Sequence, residues 1–76
     1  MKKQTNIEKI VNLICEDMEV SAPDLTNLPK DIQSQADRIP ESEIEEFAIG
    51  SEDRQIEIAE RYNAIELHTA LNNLFS

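Results

Sequence analysis

The stretch TNIEKIVNLICEDM, residues 5–18, decides the fold of this sequence. Thr5 stands three residues before Glu8, the spacing of a capping box, in which the hydroxyl and the carboxylate each satisfy a backbone N–H at the start of a helix. Apolar side chains then recur at helical spacing: Ile7, Ile10, Val11, Ile14 and Met18, with Leu13 widening the face. The pattern predicts an amphipathic helix over residues 6–18.

The end of this predicted helix is crowded with negative charge. Glu16, Asp17 and Glu19 lie where the helix dipole is itself negative, so they weaken that end of the helix. Cys15 stands among these acids, on the side of the helix away from Val11. Because a reactive thiol needs a positive neighbourhood, we expect an inert, semi-buried cysteine.

The next segments are bounded by prolines and by the only glycine. Prolines delimit a single helical turn near residues 23–28 and a helix over residues 29–38. Ser42, three residues before Glu45, repeats the capping-box spacing and predicts the start of a further helix. Gly50 is expected to close that helix in a left-handed conformation.

Two more helices complete the predicted fold. Ser51 is a good N-cap for a helix over residues 52–62, and Asn63 is expected to take a left-handed conformation before a last helix that begins near Ile65. The side chains expected to face the core are Leu25, Leu28, Ile32, Ala36, Ile39, Ile44, Phe47, Ala48, Ile56, Ala59, Tyr62, Leu67, Ala70, Leu71, Leu74 and Phe75. The sequence thus predicts one all-α domain over residues 1–76, a small bundle of about four short helices plus the one-turn helix.

The composition argues against an enzyme and against a cofactor or metal. Gly-rich phosphate loops, HExxH, CxxC and GxSxG motifs are all missing from the 76 residues. Cys15 is the single cysteine and His68 the single histidine, too few for a disulfide or a Cys/His zinc site. His68 is expected at the surface. No apolar run is long enough for a membrane span and no targeting segment is recognisable, so we expect a cytoplasmic protein.

The net charge of −9 is concentrated in one part of the chain. Residues 41–60 hold eight acids and one arginine, for a charge of −7, whereas the remaining segments are close to neutral. Such a field disfavours contact with nucleic acid and with anionic lipid. If the charge is functional, its partner is a basic protein.

The candidate partner-binding surface consists of these eight carboxylates: Glu41, Glu43, Glu45, Glu46, Glu52, Asp53, Glu57 and Glu60. Local ion pairs are available only for Glu57, with Arg54 and Arg61, and the other seven acids have no basic neighbour along their own helix. Two interpretations stay open at this point. The acids are an ordinary solvated face, or they form a contact surface that a small domain retains despite its cost in stability.

A functional surface of this kind would act by charge mimicry. Duplex DNA carries one negative charge per about 1.7 Å of its axis, and a row of carboxylates on rigid helices approximates that array. In size and charge the chain is similar to small acidic inhibitors of phages and mobile elements, including anti-CRISPR proteins, that occupy basic nucleic-acid-binding grooves. The similarity implies an inhibitor of a nucleic-acid-binding protein.

The alternative hypothesis is a small homodimeric helical module with a structural or regulatory role. Leu13, Ile49 and Ile58 lie off the main apolar stripes and would form an exposed patch. A symmetric dimer through this patch would enlarge a small core. The two hypotheses make different predictions: the first expects charge reversal of the acidic residues to abolish binding, and the second expects replacement of the apolar patch residues by lysine to split the dimer.

Overall fold

The computed structural model describes residues 4–75, and within this range the chain is all-helical, with no strand and with 75% of its residues in helices. The prediction of an all-α fold is confirmed. The helices of the described range are α1 (Asn6–Met18), α2 (Lys30–Gln35), α3 (Glu41–Ile49), α4 (Glu52–Arg61) and α5 (Ile65–Leu74), with 3₁₀ turns at Leu25–Asn27 and Ala36–Arg38. The count is five rather than about four.

The helices pack in a closed ring around one core. α1 packs on α3, α3 on α4, α4 on α5 and α5 on α2, and the second 3₁₀ turn returns to α1. Phe47 lies in this core with only 2% of its surface exposed. The other buried apolar residues come from every helix but α2 and from the segments between helices: Ile7, Ile10, Val11, Cys15, Leu28, Ala36, Ile39, Ile44, Ala48, Ile58, Ala59, Ala64, Leu67 and Leu71.

Helix α1 begins and ends where the sequence predicts. The backbone N–H of Thr5 donates to Glu8 Oε1 at 2.9 Å, and the backbone N–H of Glu8 donates to Thr5 Oγ1 at 3.3 Å, so the capping box is present. Glu19 turns the chain away in a left-handed conformation, with φ of 57°. Cys15 is buried in the core beside Val11, deeper than predicted, because α1 turns its 7, 11 and 15 positions inward.

The predicted start and end of α3 are both wrong in detail. The N-cap position is Pro40, and Ser42 lies inside the first turn without making a cap. Gly50 has an extended rather than a left-handed conformation, with φ of −73° and ψ of −177°. The reason for glycine is space, since a Cβ atom there would lie 2.4 Å from the carbonyl oxygen of Glu46.

Helix α4 begins at the predicted cap but is rotated relative to the prediction. The backbone N–H of Arg54 donates to Ser51 Oγ at 3.3 Å. Ile58 is fully buried, whereas Ile56, expected inside, keeps 36% of its surface exposed. The inward stripe includes Gln55, whose side-chain amide donates to the carbonyl oxygen of Gly50 at 2.9 Å and caps the end of α3. A polar residue therefore occupies a place that the apolar pattern assigned to Ile56.

Side-chain amides also join helices that are distant in sequence. Gln35 is buried, and its Oε1 accepts from the backbone N–H of Leu67 at 3.1 Å, which caps α5 from α2. α5 has no side-chain cap of its own. The left-handed Asn63 before it, with φ of 56°, is confirmed. Its carbonyl oxygen accepts from Arg38 at 2.7 Å.

Candidate interaction surface

The eight predicted surface acids lie on α3 and α4, four on each helix. α3 turns Ile44, Phe47 and Ala48 into the core, so its glutamates face outward or toward α4. α4 buries Ile58 and Ala59, which leaves its acids in solvent. Their electrostatic surroundings nevertheless divide the eight into two groups.

Arg54 of α4 contacts three carboxylates, and two of them, Glu43 and Glu46, belong to α3. Its Nε lies 2.6 Å from Glu46 Oε2, its Nη2 lies 3.8 Å from Glu43 Oε1, and its Nη1 contacts Glu57. The hydrogen bond from Arg54 and its positive charge lower the pKa of Glu46 below the ordinary value of 4.5. The same pair, with Glu57 adding to it, raises the pKa of Arg54. This cluster fastens α3 to α4.

A second contact fastens the other end of these helices. Arg61 Nη1 lies 3.0 Å from Glu43 Oε1, and the hydroxyl of Tyr62 donates to Glu43 Oε2. That hydrogen bond, followed by burial and the glutamate charge, raises the pKa of Tyr62 above 10.0. The side chain of Glu43 is only 15% exposed. It therefore belongs to the helix interface and is not available to a partner.

Within residues 4–75, Lys9 of α1 supplies the one further ion pair to these acids. Its Nζ lies 3.2 Å from Glu41 Oε1 across the gap between α1 and α3. In the described range, the seven acids predicted to lack a basic neighbour along their own helix have none there, but Glu41, Glu43 and Glu46 pair with bases on other helices. The pairs of Glu57 with Arg54 and Arg61 are present as predicted. Sequence reasoning missed the other pairs because they join different helices.

Four of the predicted surface acids stay exposed and form no ion pair with any residue between 4 and 75: Glu45, Glu52, Asp53 and Glu60. Glu52 and Asp53 lie in the first turn of α4, where the helix dipole stabilises them. Glu45 lies on α3 and Glu60 near the end of α4. The part of the predicted acidic surface that is left without an ion pair in the described range is thus about half of it.

The predicted apolar patch of Leu13, Ile49 and Ile58 is not one surface. Ile58 has no exposed surface, because the rotation of α4 places it at the centre of the core. Leu13 is partly buried against the core. Ile49 is 39% exposed and shares a shallow depression with Met18, which is 47% exposed, and with Phe75.

A wider groove of about 740 Å³ runs between α1 and α3. One wall is a single face of α1, formed by Lys9, Asn12, Leu13 and Glu16 at helical spacing, and the other is formed by Glu41, Ile44 and Glu45 of α3. Its far end is lined by Glu19, Val20 and Ala22. Sequence reasoning missed this groove because it depends on which two helices are neighbours.

The remaining reactive groups have ordinary structural surroundings. His68 is half-buried, and its ring packs edge-on against Phe47 with centroids 6.2 Å apart. Cys15 is a buried free thiol. Between residues 4 and 75, no three His, Cys, Asp or Glu side chains are grouped so that they would hold a metal ion.

The chain matches no protein-family model, no curated protein and no solved structure. None of the helices in the described range has the length and apolar character needed to cross a membrane.

Proposed function

We propose that this chain is a non-enzymatic, cytoplasmic module that binds a basic protein through carboxylates on α3 and α4. The observation that carries the proposal is the set of four exposed acids without an ion pair in the described range, Glu45, Glu52, Asp53 and Glu60. The net charge of −9 supports it, because a field of that size attracts a basic partner and repels nucleic acid.

The class of partner that best fits such a surface is a nucleic-acid-binding protein. Its Lys/Arg-rich groove is built for closely spaced phosphates, and carboxylates held on two helices present a similar array. The ion pairs of Arg54 fix α3 against α4, so the free acids are held on a rigid frame. Binding would then inhibit the partner by occupying its nucleic-acid site.

The test compares three immobilised forms of the full chain in capture experiments from a cell lysate. The first is the natural sequence, and the second carries Glu45→Gln, Glu52→Gln, Asp53→Asn and Glu60→Gln. The control removes four other exposed charges, with Asp17→Asn, Asp31→Asn, Asp37→Asn and Glu66→Gln. We expect basic proteins, identified by mass spectrometry, to bind the natural and control forms, to elute with salt and to be lost from the second form.

The captured protein is then tested for nucleic-acid binding with and without this chain. Competition between the two would support mimicry. Capture that is indifferent to salt, or equal for the three forms, would show that the acids are an ordinary solvated face and would end the proposal.

A second candidate is the homodimeric structural or regulatory module. The observation that favours it is the joint exposure of Ile49 and Met18 around one depression. Analytical ultracentrifugation decides this case. A dimer that Ile49→Lys splits, and that the matched Ile56→Lys on α4 leaves intact, would support it, whereas a monomer at every concentration would exclude it.

A further inference from the structure

The groove between α1 and α3 combines an apolar floor with acidic rims. Half-buried Leu13 contributes the exposed apolar part along its length, above Ile44, which is only 3% exposed, and Val20 extends it at one end, with 46% of its surface exposed. Exposed apolar area of this kind is stabilised when another apolar surface covers it. Acidic side chains line the groove on either side of this apolar area.

The charge of the groove is negative along both walls. Glu16 and Glu19 line the α1 side, and Glu45 lines the α3 side. None of the three pairs with a base in the described part of the chain. Lys9 is the one base among the described lining residues, and Glu41 already pairs with it.

The end of α1 makes this negative field stronger. The last turn of α1 contains no basic residue, so its C-terminal carbonyl groups and the carboxylates of Glu16 and Glu19 add to one another. Like charges at a helix C-terminus destabilise the free protein. A cationic side chain that binds at the end of α1 would relieve the repulsion between these negative groups. The ion pairs between α3 and α4 do not involve these groups and do not relieve it.

We propose that this groove receives a basic amphipathic helix of the partner protein. The inference rests on the proposed function and names the surface and the kind of segment involved. The lining face of α1 from Lys9 to Glu16 is about 10 Å long at the helical rise per residue, which matches about two turns of a docked helix. Apolar side chains of the docked helix would cover Leu13 and Val20, while its Lys and Arg side chains would reach Glu16, Glu19 and Glu45.

The probe is a synthetic helical peptide of about five turns, with leucines along one face and lysines beside them. A scrambled peptide of the same composition has the same charge but no apolar face. Each is titrated into the isotope-labelled full chain, followed by amide NMR shifts at about 0.15 M salt, where the Debye length is about 8 Å. We expect saturable shifts for the amphipathic peptide, centred on Leu13, Glu16, Ile44 and Glu45, and weaker binding of the scrambled peptide.

The matched variants are Glu16→Lys with Glu45→Lys, inside the groove, and Asp17→Lys with Asp37→Lys, outside it. Both pairs change the net charge by the same amount, and all four residues are exposed, so each variant is expected to fold. Circular dichroism checks this. The groove variant should bind the amphipathic peptide about tenfold or more weakly, because two attractive contacts become repulsive, and the control should retain most of the affinity.

The outcomes separate the groove from the proposed function. Shifts centred on Glu52, Asp53 and Glu60, or equal losses in the two variants, would overturn the groove and leave the binding of a basic partner standing. Equal binding of the two peptides would show that apolar contacts do not contribute to binding, and would overturn the proposal that the bound segment is an amphipathic helix. If neither peptide binds even at low salt, the groove proposal falls, and the lysate capture alone decides the proposed function.

Discussion

At the scale of single residues, polar side chains determine where this molecule departs from a simple apolar pattern. Gln35 and Gln55 point inward and bind backbone groups at helix ends. Every buried side-chain nitrogen or oxygen in residues 4–75 has a hydrogen-bond partner. Hydropathy alone assigns glutamine to the surface. With Gln55 placed outside, the predicted inner face of α4 passes through Ile56, whereas the observed inner face contains Gln55 and Ile58.

Gln35→Leu should destabilise the protein by about 1–3 kcal/mol, because it leaves the backbone N–H of Leu67 buried without an acceptor. Urea unfolding measures the change. The control is Gln4→Leu at an exposed position, expected to lie within about 0.5 kcal/mol of the natural chain. Equal effects at the two positions would mean that the contact from α2 to α5 contributes nothing.

Gly50→Ala should destabilise by about 1–3 kcal/mol, because the added Cβ would meet the carbonyl oxygen of Glu46 at 2.4 Å. A left-handed glycine would also be sensitive to alanine, so a second substitution separates the two causes. Gly50→Asn would be tolerated in a left-handed conformation but is as unfavourable as alanine in the observed extended one. A mild effect of Asn beside a severe effect of Ala would contradict the structure.

At the scale of helices, the sequence predicted α1 well and α3 poorly. The capping box of α1 joins residues only three positions apart, so the sequence spacing alone is enough to predict where α1 begins. The start of α3 is set by Pro40 before it, and Ser42 makes no cap although its spacing to Glu45 is the same. The charge pairs between α3 and α4 depend on helix neighbours, which no spacing along the chain reveals.

The two serines provide a direct comparison of a real and an apparent cap. Ser51→Ala should cost about 1 kcal/mol, since the hydroxyl accepts from the backbone N–H of Arg54. Ser42→Ala should be neutral or slightly stabilising, because alanine favours a helix interior. Thermal unfolding of the two variants checks both expectations, and a larger loss at Ser42 would refute the assigned start of α3.

The link between α3 and α4 should weaken in acid. Since the pKa of Glu46 is lowered by Arg54 in the folded state, its contribution to stability is complete above the ordinary value of 4.5 and is lost as pH falls through the lowered pKa. Urea midpoints measured from neutral to acidic pH should therefore fall less steeply for Glu46→Gln than for the natural chain. The control is Glu60→Gln, which removes an acid without an ion pair in the described range and keeps the Glu46–Arg54 contact, so it should keep the slope of the natural chain.

At the scale of the whole molecule, excess charge opposes compactness. The chain measures 28 × 23 × 23 Å, so at 0.01 M salt, where the Debye length is about 30 Å, all of the excess charges repel one another. At about 0.15 M this length is only about 8 Å and the repulsion becomes local. We expect the melting temperature to rise with salt, by about 4–8 °C for each kcal/mol gained.

The variant in which Glu45, Glu52, Asp53 and Glu60 are replaced by their amides tests this explanation, since it removes four of the nine excess negative charges. Its melting temperature should depend less on salt than that of the natural chain. A melting temperature that falls with salt would mean that the ion pairs of Arg54 and Arg61 outweigh the general repulsion. The fold class and net charge were predictable from sequence, but the share of that charge left free was not.

The hydrogen bond from Tyr62 to Glu43 gives the molecule its own optical reporter. Tyr62 is the only tyrosine, the chain has no tryptophan, and its two phenylalanines absorb at shorter wavelength, so fluorescence excited in the tyrosine band comes from this one phenol. A carboxylate that accepts a proton from an excited phenol quenches its emission. Separation of α3 from α4 would therefore increase the fluorescence of Tyr62. The opening of the α3–α4 interface can thus be followed in real time without a label.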